Sequence, residues 1–439
     1  MNLAIKAFFA ALIFAFLQGA LLAFGINGNI IKASVIVFLI FSILLIYSAQ
    51  NQTARRFNYS SIWIFILFTL IWLISVAVNN SNFGKSFSFF HYTLVAFLSF
   101  SIGLNLTINT KHLKRFDRTI VLLLVLQIFA AIIKVGTVGT KEMYAGTIGF
   151  TGGSLNTVYP LIGISFFTIR YFFYKDEKKY LILAIGTLFI AWAGEKRGIY
   201  FYLPVVLFLI FFLHRKLTGK ILFSINNSIK GIVILLISSF IFYWGIRLSP
   251  TLNPDNTVLG RFDLNYTIEY ATNYSYNEEE VEYATGRFSG LEHIVIQSLS
   301  NIESHIFYIG KGPDLLIGLG EESIDTAQDI GVSGSMAING FSTYLLSLGL
   351  FGVLAIIILY YNVSRKIYAE LFREDLEFNR LLYSYGVFAL VGFFIFYLDY
   401  FTYTRSFVHT NALNMIIFIT AGLFLNKSNF KVLKVKKRI

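Results

Sequence analysis

Five short stretches carry side chains able to do chemistry. The first is Gly194-Glu195-Lys196-Arg197-Gly198. Two cations in a tight turn suit an anionic headgroup, because arginine's planar fork donates two hydrogen bonds to a phosphate at once. The same turn also reads as purely structural, with Glu195 neutralising a neighbour. The second is Gly286-Arg287 with Glu292 and His293. Either of the last two can serve as a general base if its environment tunes it, or can be an ordinary surface charge. The third is Gly310-Lys311-Gly312 with Pro313 and Asp314. Its backbone N–H groups suit phosphate, but it lacks a full P-loop pattern and reads equally as a turn. The fourth is Asn339-Gly340, followed by Gly349 and Gly352; Asn here suits a helix cap and the glycines suit helix packing. The fifth is Tyr397, Asp399, Tyr400, Tyr403 and Arg405. These read as an interfacial aromatic belt with an ion pair, or as tyrosines that stack on sugar.

The elements that must position these residues are membrane helices. Of 439 residues, 56% are hydrophobic and 14% charged. A soluble chain carries about 25% charged residues, so an ordinary soluble enzyme is excluded. Five prolines argue against a disordered chain. With no cysteine, disulfides, zinc-thiolate sites and iron–sulfur clusters are excluded. A spanning helix takes roughly 20 apolar residues. Twelve segments qualify, at about 7–24, 33–49, 62–78, 87–106, 119–136, 155–173, 180–194, 199–213, 229–247, 337–361, 381–398 and 407–425. The expected fold is all-α and polytopic. The pair at 180–194 and 199–213 is read as two helices, since one long helix would put Glu195, Lys196 and Arg197 at its centre. The first span reads as an uncleaved signal anchor.

With the N-terminus in the cytoplasm, 25 of the 36 Lys and Arg fall inside, as the positive-inside rule expects for twelve spans with both termini cytoplasmic. The net charge of +12 therefore points to cytoplasmic loops on anionic lipid rather than to nucleic acid. The chain divides into helices over 1–247, a hydrophilic loop over 248–336, and closing helices with a basic tail over 337–439. The loop holds 14 acidic residues against Arg261, Arg287 and Lys311. Within it, Phe288, Leu291, Ile294, Val295 and Leu299 have the spacing of an amphipathic helix over 287–300, one suited to lie on a membrane. No internal repeat, nucleophile elbow, HExxH or EF-hand pattern occurs. The expected spans hold few charges apart from Lys134, which weighs against an ion-coupled transporter.

Together these features resemble the O-antigen polymerase and ligase superfamily, its Wzy-type polymerases in particular. Lys196-Arg197-Gly198 is similar to a short periplasmic Arg motif before the large loop. Gly286-Arg287 with Ile309–Pro313 is similar to the large-loop pattern, and Asn339, Phe341, Gly349 and Gly352 to a His-Asn-x-aromatic pattern with two later glycines. Ile338 stands where the family has that His. In the ligases this His is the base, so its loss turns the resemblance towards a polymerase and leaves the base open among Glu195, Glu292 and His293.

The resemblance implies a GT-C-like inner-membrane glycosyltransferase with one large periplasmic loop. Its substrates would be glycans on undecaprenyl pyrophosphate, with no metal or other cofactor. Arg197 and Arg287 would hold the pyrophosphate, Lys196 and Lys311 would assist, and Asn339, Tyr400 and Arg405 would line the substrate. Partners would be membrane lipids, a chain-length regulator and a flippase, with no nucleic acid. An O-antigen ligase and a transporter of lipid-linked sugars are the alternatives. Reporter fusions at Asn273 and Arg373 are expected to report opposite sides of the membrane; the same side for both would overturn the span count.

Overall fold

The computed structural model describes residues 2–49, 59–106, 108–139, 146–148, 155–174, 177–194, 198–218, 236, 239–276, 287–315, 339–373, 379–403 and 410–426. No strand occurs among them. Long apolar runs settle as helices because a helix satisfies its own backbone groups where water is absent. Asparagines set several of the starts. Asn82, Asn109, Asn339 and Asn379 each accept a backbone N–H of the first turn that follows.

In chain order the helices are α1 Asn2–Phe16, α2 Gln18–Ala23, α3 Gly28–Ala49, α4 Tyr59–Val78, α5 Phe83–Asn105, α6 Thr110–Val138, α7 Leu155–Phe173, α8 Lys179–Ala193 and α9 Gly198–Leu217. After a helical stretch at 239–248 come α10 Leu264–Tyr276, α11 Arg287–Ser300, α12 His305–Ile309, α13 Gly340–Leu371, α14 Arg380–Leu398 and α15 Asn411–Leu425. Six stretches among the described residues are long and apolar enough to cross a membrane: 28–48, 83–105, 110–137, 198–217, 340–371 and 380–402. Four shorter apolar helices pack beside them. The chain is thus a helical bundle of membrane character, and α8 and α9 are separate helices.

The bundle has a loop end, where α11, α12 and residues 310–315 pack, and a far end. α5 and α15 run parallel and in register between them. His91 interacts with Asn411, and fifteen residues further along both helices the Asn426 amide donates to Leu106 O at 3.1 Å. Between these points the backbones nearly touch. A Cβ on Gly103 would lie 2.8 Å from Gly422 Cα, the close approach that small residues permit in membranes.

Two apolar segments differ from uninterrupted spans. In α13, Gly349 has φ 66° and ψ −166°, so the helix turns sharply there. Residues 350–371 alone rise about 33 Å, enough to cross a bilayer. The preceding turns, 340–348, are almost wholly buried and bridge Tyr400 at one end to Ser75 at the other. The first apolar segment is likewise two helices, broken at Leu17. Thr147 fills the break: its carbonyl accepts from Gly19 and Ala20 N–H at 2.8 and 3.3 Å, and its hydroxyl donates to Phe16 O at 2.8 Å. The Gln127 amide holds Thr147 from the other side, and Lys134 donates to Gly146 O at 2.7 Å. Gln127 lies about 16 Å along α6 from its last residue, so residues 146–148 reach well into the bundle.

Lys134 is not the main intramembrane charge. Near the far end, Arg170 of α7 is 1% exposed and ion-paired with Asp117 of α6. Its guanidinium also donates to Ser384 Oγ at 2.7 Å and lies 4.7 Å from the Tyr385 ring centroid. The Tyr385 hydroxyl donates to the same Asp117 oxygen at 3.2 Å. The pair ties α6, α7 and α14 together. Removing one partner of such a pair strands a buried charge, whereas an apolar replacement of both does not. Asp117→Ala is therefore expected to cost about 3 kcal/mol. The double variant Asp117→Ala with Arg170→Met should recover part of the loss in thermal unfolding. A double variant no more stable than Asp117→Ala would contradict this.

Candidate functional site at the loop end

Asn339, α9 and α11 meet at one irregular turn. α14 does not stop at Leu398 but continues as a π-helical turn, Asp399–Tyr403. Such turns leave carbonyls out of line, and they recur at functional sites. The Thr402 hydroxyl donates to Leu398 O at 2.5 Å, so the Tyr202 hydroxyl, 3.0 Å away, donates to Thr402 Oγ1. Tyr202 stands one turn into α9, the helix that begins immediately after Arg197. The Asn339 amide donates to Phe401 O at 2.9 Å, while its Oδ1 accepts from Ser342 N–H at 2.8 Å and caps α13. α11, which begins at Arg287, packs on the same turn.

Tyr400 is the core of this hub. It is 1% exposed, and its ring is flanked by those of Phe341, Tyr344 and Phe396. A Cβ on Gly340 would lie 2.6 Å from Tyr400 Cδ2, so glycine is required there. The Tyr400 hydroxyl is buried without a hydrogen-bond partner among the described residues. A buried hydroxyl in that state carries a desolvation cost. Tyr400 is thus no open stacking platform for a sugar; it holds the turn and offers one polar atom.

The glycine-rich stretch has a different job from cradling phosphate. Lys311 N–H donates to Leu346 O at 2.7 Å, a carbonyl that the kink at Gly349 releases. Ser75 donates to the next one, Ser347 O, at 3.0 Å. Asn79 donates to Gly310 O at 3.2 Å, and Asp314 accepts Asn82 N–H at 2.7 Å. A Cβ on Gly310 would strike the Ser347–Leu348 backbone, and one on Gly349 the Tyr308–Gly310 backbone. The stretch therefore fastens the long loop to α4 and α13. Its Lys311 ammonium has no acceptor among the described residues.

The remaining site residues separate into two groups. Glu292 and His293 lie on the exposed side of α11. That helix spans the expected residues, but its inward face centres on Ile294 and Ser289, leaving Phe288 and Leu299 exposed. Of Arg287, the backbone heads α11. Glu195, Lys196, Arg197 and Arg405 lie outside the described residues. The π turn itself and the pairing of Asn339 with Phe401 have no signal in the sequence. No protein-family model matches the chain, and no curated protein is detectably similar to it.

Gly349→Ala places a side chain at positive φ, which costs about 1–2 kcal/mol, and drives it into the Tyr308–Gly310 backbone. The variant is expected to melt earlier and to be cut faster by protease within 310–315. An unchanged melting point and cleavage rate would show that this docking does not hold the loop.

Proposed function

We propose that the protein is a polysaccharide polymerase: a membrane glycosyltransferase that joins oligosaccharide repeat units carried on a polyprenyl pyrophosphate. The observation that carries this reading is convergence. The helix that follows Lys196-Arg197, the helix that begins at Arg287, and Asn339 all meet the Asp399–Tyr403 turn at one end of the bundle. Arginines arriving from separate segments suit a pyrophosphate, whose charge spreads over several oxygens. In this reading twelve spans place both termini in the cytoplasm and the loop end at the periplasmic face of a bacterial inner membrane.

The chemistry is a displacement at the anomeric carbon of the growing glycan. The acceptor hydroxyl of a lipid-linked repeat unit forms the new C–O bond and loses its proton to a base. The bond from the anomeric carbon to the pyrophosphate oxygen breaks, and the lipid pyrophosphate leaves as the anion. Arg197 and Arg287 stabilise the charge that develops on it, with Lys196 and Lys311 as further point charges. A transporter of the same lipid-linked glycans is the second reading. It is favoured by α15, which begins at the depth of His91 rather than at the end of the bundle, a feature of helices that line transport sites.

Arg197→Ala and Arg287→Ala are each expected to leave single repeats on the lipid and remove the long-chain ladder on a gel. Normal ladders from both variants would end the pyrophosphate-clamp idea. Purified protein given a lipid-linked repeat unit should elongate it without nucleotide. Binding without elongation would favour the transporter.

A further inference from the structure

A second group of polar side chains lies inside the bundle where α15 begins, linked to the π turn through Tyr344, which packs on Tyr400 and also meets Phe89 and Thr93 of α5. Because α5 and α15 run in register, Asn411 at the start of α15 stands level with His91, about 12 Å along α5 from Phe83. The start of α15 has no side-chain cap from Thr410. A helix start carries N–H groups without intrahelical partners and a partial positive charge. Both amide atoms of Asn411, which is fully buried, lack a well-formed hydrogen bond. His91 is 1% exposed. Its Nδ1 lies 2.7 Å from Ser88 O; a carbonyl only accepts, so Nδ1 carries a proton and Nε2 is the atom left over. Nε2 too makes no well-formed hydrogen bond among the described residues, the Asn411 amide being the polar group beside it. Lys32 of α3 completes the group. Half-buried, with its ammonium 5.8 Å from the Tyr92 ring centroid, it acts electrostatically on His91.

Buried polar atoms without a well-formed bond are costly, and here those of His91 and Asn411 on two helices face one another, with the Lys32 ammonium on a third. The balance of charge is positive: an ammonium, a helix start and an amide donor, with no carboxylate among the described groups that act on His91. We propose that Lys32, His91, Asn411 and the first turn of α15 form a binding site for a phosphate-type anion. The helix start and Lys32 take the charged oxygens, as at other helix N-termini. The Asn411 amide donates to one of them. Nε2 of His91 accepts from a P–OH group, or donates once protonated. The ligand chemistry is that of the lipid-linked pyrophosphate, but the site stands on its own geometry and needs no turnover.

The test uses the full chain in lipid nanodiscs and three probes: inorganic phosphate, inorganic pyrophosphate and a polyprenyl monophosphate built into the disc. Phosphorus NMR and native mass spectrometry read binding. The wild type is expected to bind at least one probe saturably. Binding of the polyprenyl phosphate alone identifies a lipid source, and binding of pyrophosphate as well a free one. Lys32→Gln and His91→Ala should weaken binding at least tenfold. Asn411→Asp is the sharper variant. Its carboxylate, in the first turn of α15, supplies the missing negative charge and suits the helix start, so binding should vanish while the melting point holds. Absence of saturable binding by the wild type, or wild-type affinity in folded Asn411→Asp, overturns the proposal. Binding here with no elongation in the polymerase assay would retire the enzymatic reading and leave this site standing.

Discussion

Backbone groups that leave helical geometry inside an apolar bundle must find partners elsewhere in the chain, and this constraint organises the fold. At Gly349 the released carbonyls of α13 are taken by Lys311 N–H and the Ser75 hydroxyl. At Leu17 the gap between α1 and α2 is filled by Thr147. At the end of α14 the π turn is held by Asn339, Thr402 and Tyr202. In each case a distant segment is fixed in place because it completes an interrupted helix. Residues 310–314 are anchored in this way, while Leu252 and Ile294 of the same long segment pack into the apolar core.

The same constraint divides the molecule by function. At the far end the buried charge is fully engaged: Arg170 meets Asp117, Ser384 and the Tyr385 ring, which suits a rigid base. Towards the loop end, polar atoms remain unsatisfied, among them the Tyr400 hydroxyl, the Asn411 amide and His91 Nε2. Unsatisfied polar atoms occur at the far end too, His112 Nδ1 and Ser364 Oγ among them, but Asn411 and His91 face one another inside the bundle.

What could be read in advance follows from how local each signal is. The helix over 287–300 was legible because its apolar spacing repeats within one element, and Asn339 as a cap because capping is settled within four residues. The Gly349 turn was not legible. A glycine in an apolar run signals packing as readily as a kink, and the decisive partner, Gly310, lies 39 residues earlier in the chain. Arg170 passed unnoticed at the edge of an apolar run because its partner Asp117 sits on another helix, 53 residues away. The in-register pairing of α5 and α15 brings together residues more than 300 apart in sequence. Chemistry-bearing residue types were visible in the sequence, whereas their grouping depends on tertiary contacts that no spacing rule encodes.

The central claim is that the turn at Asp399–Tyr403 faces a lipid-linked glycan. A photoreactive residue placed at Phe401, which is 37% exposed, tests it against one placed at Tyr368, 41% exposed on the far part of α13. Each protein is irradiated in a membrane that contains a radiolabelled lipid-linked repeat unit. The account predicts label on the protein from position 401 and none above background from position 368. Equal labelling from both positions, or labelling from 368 alone, would contradict it.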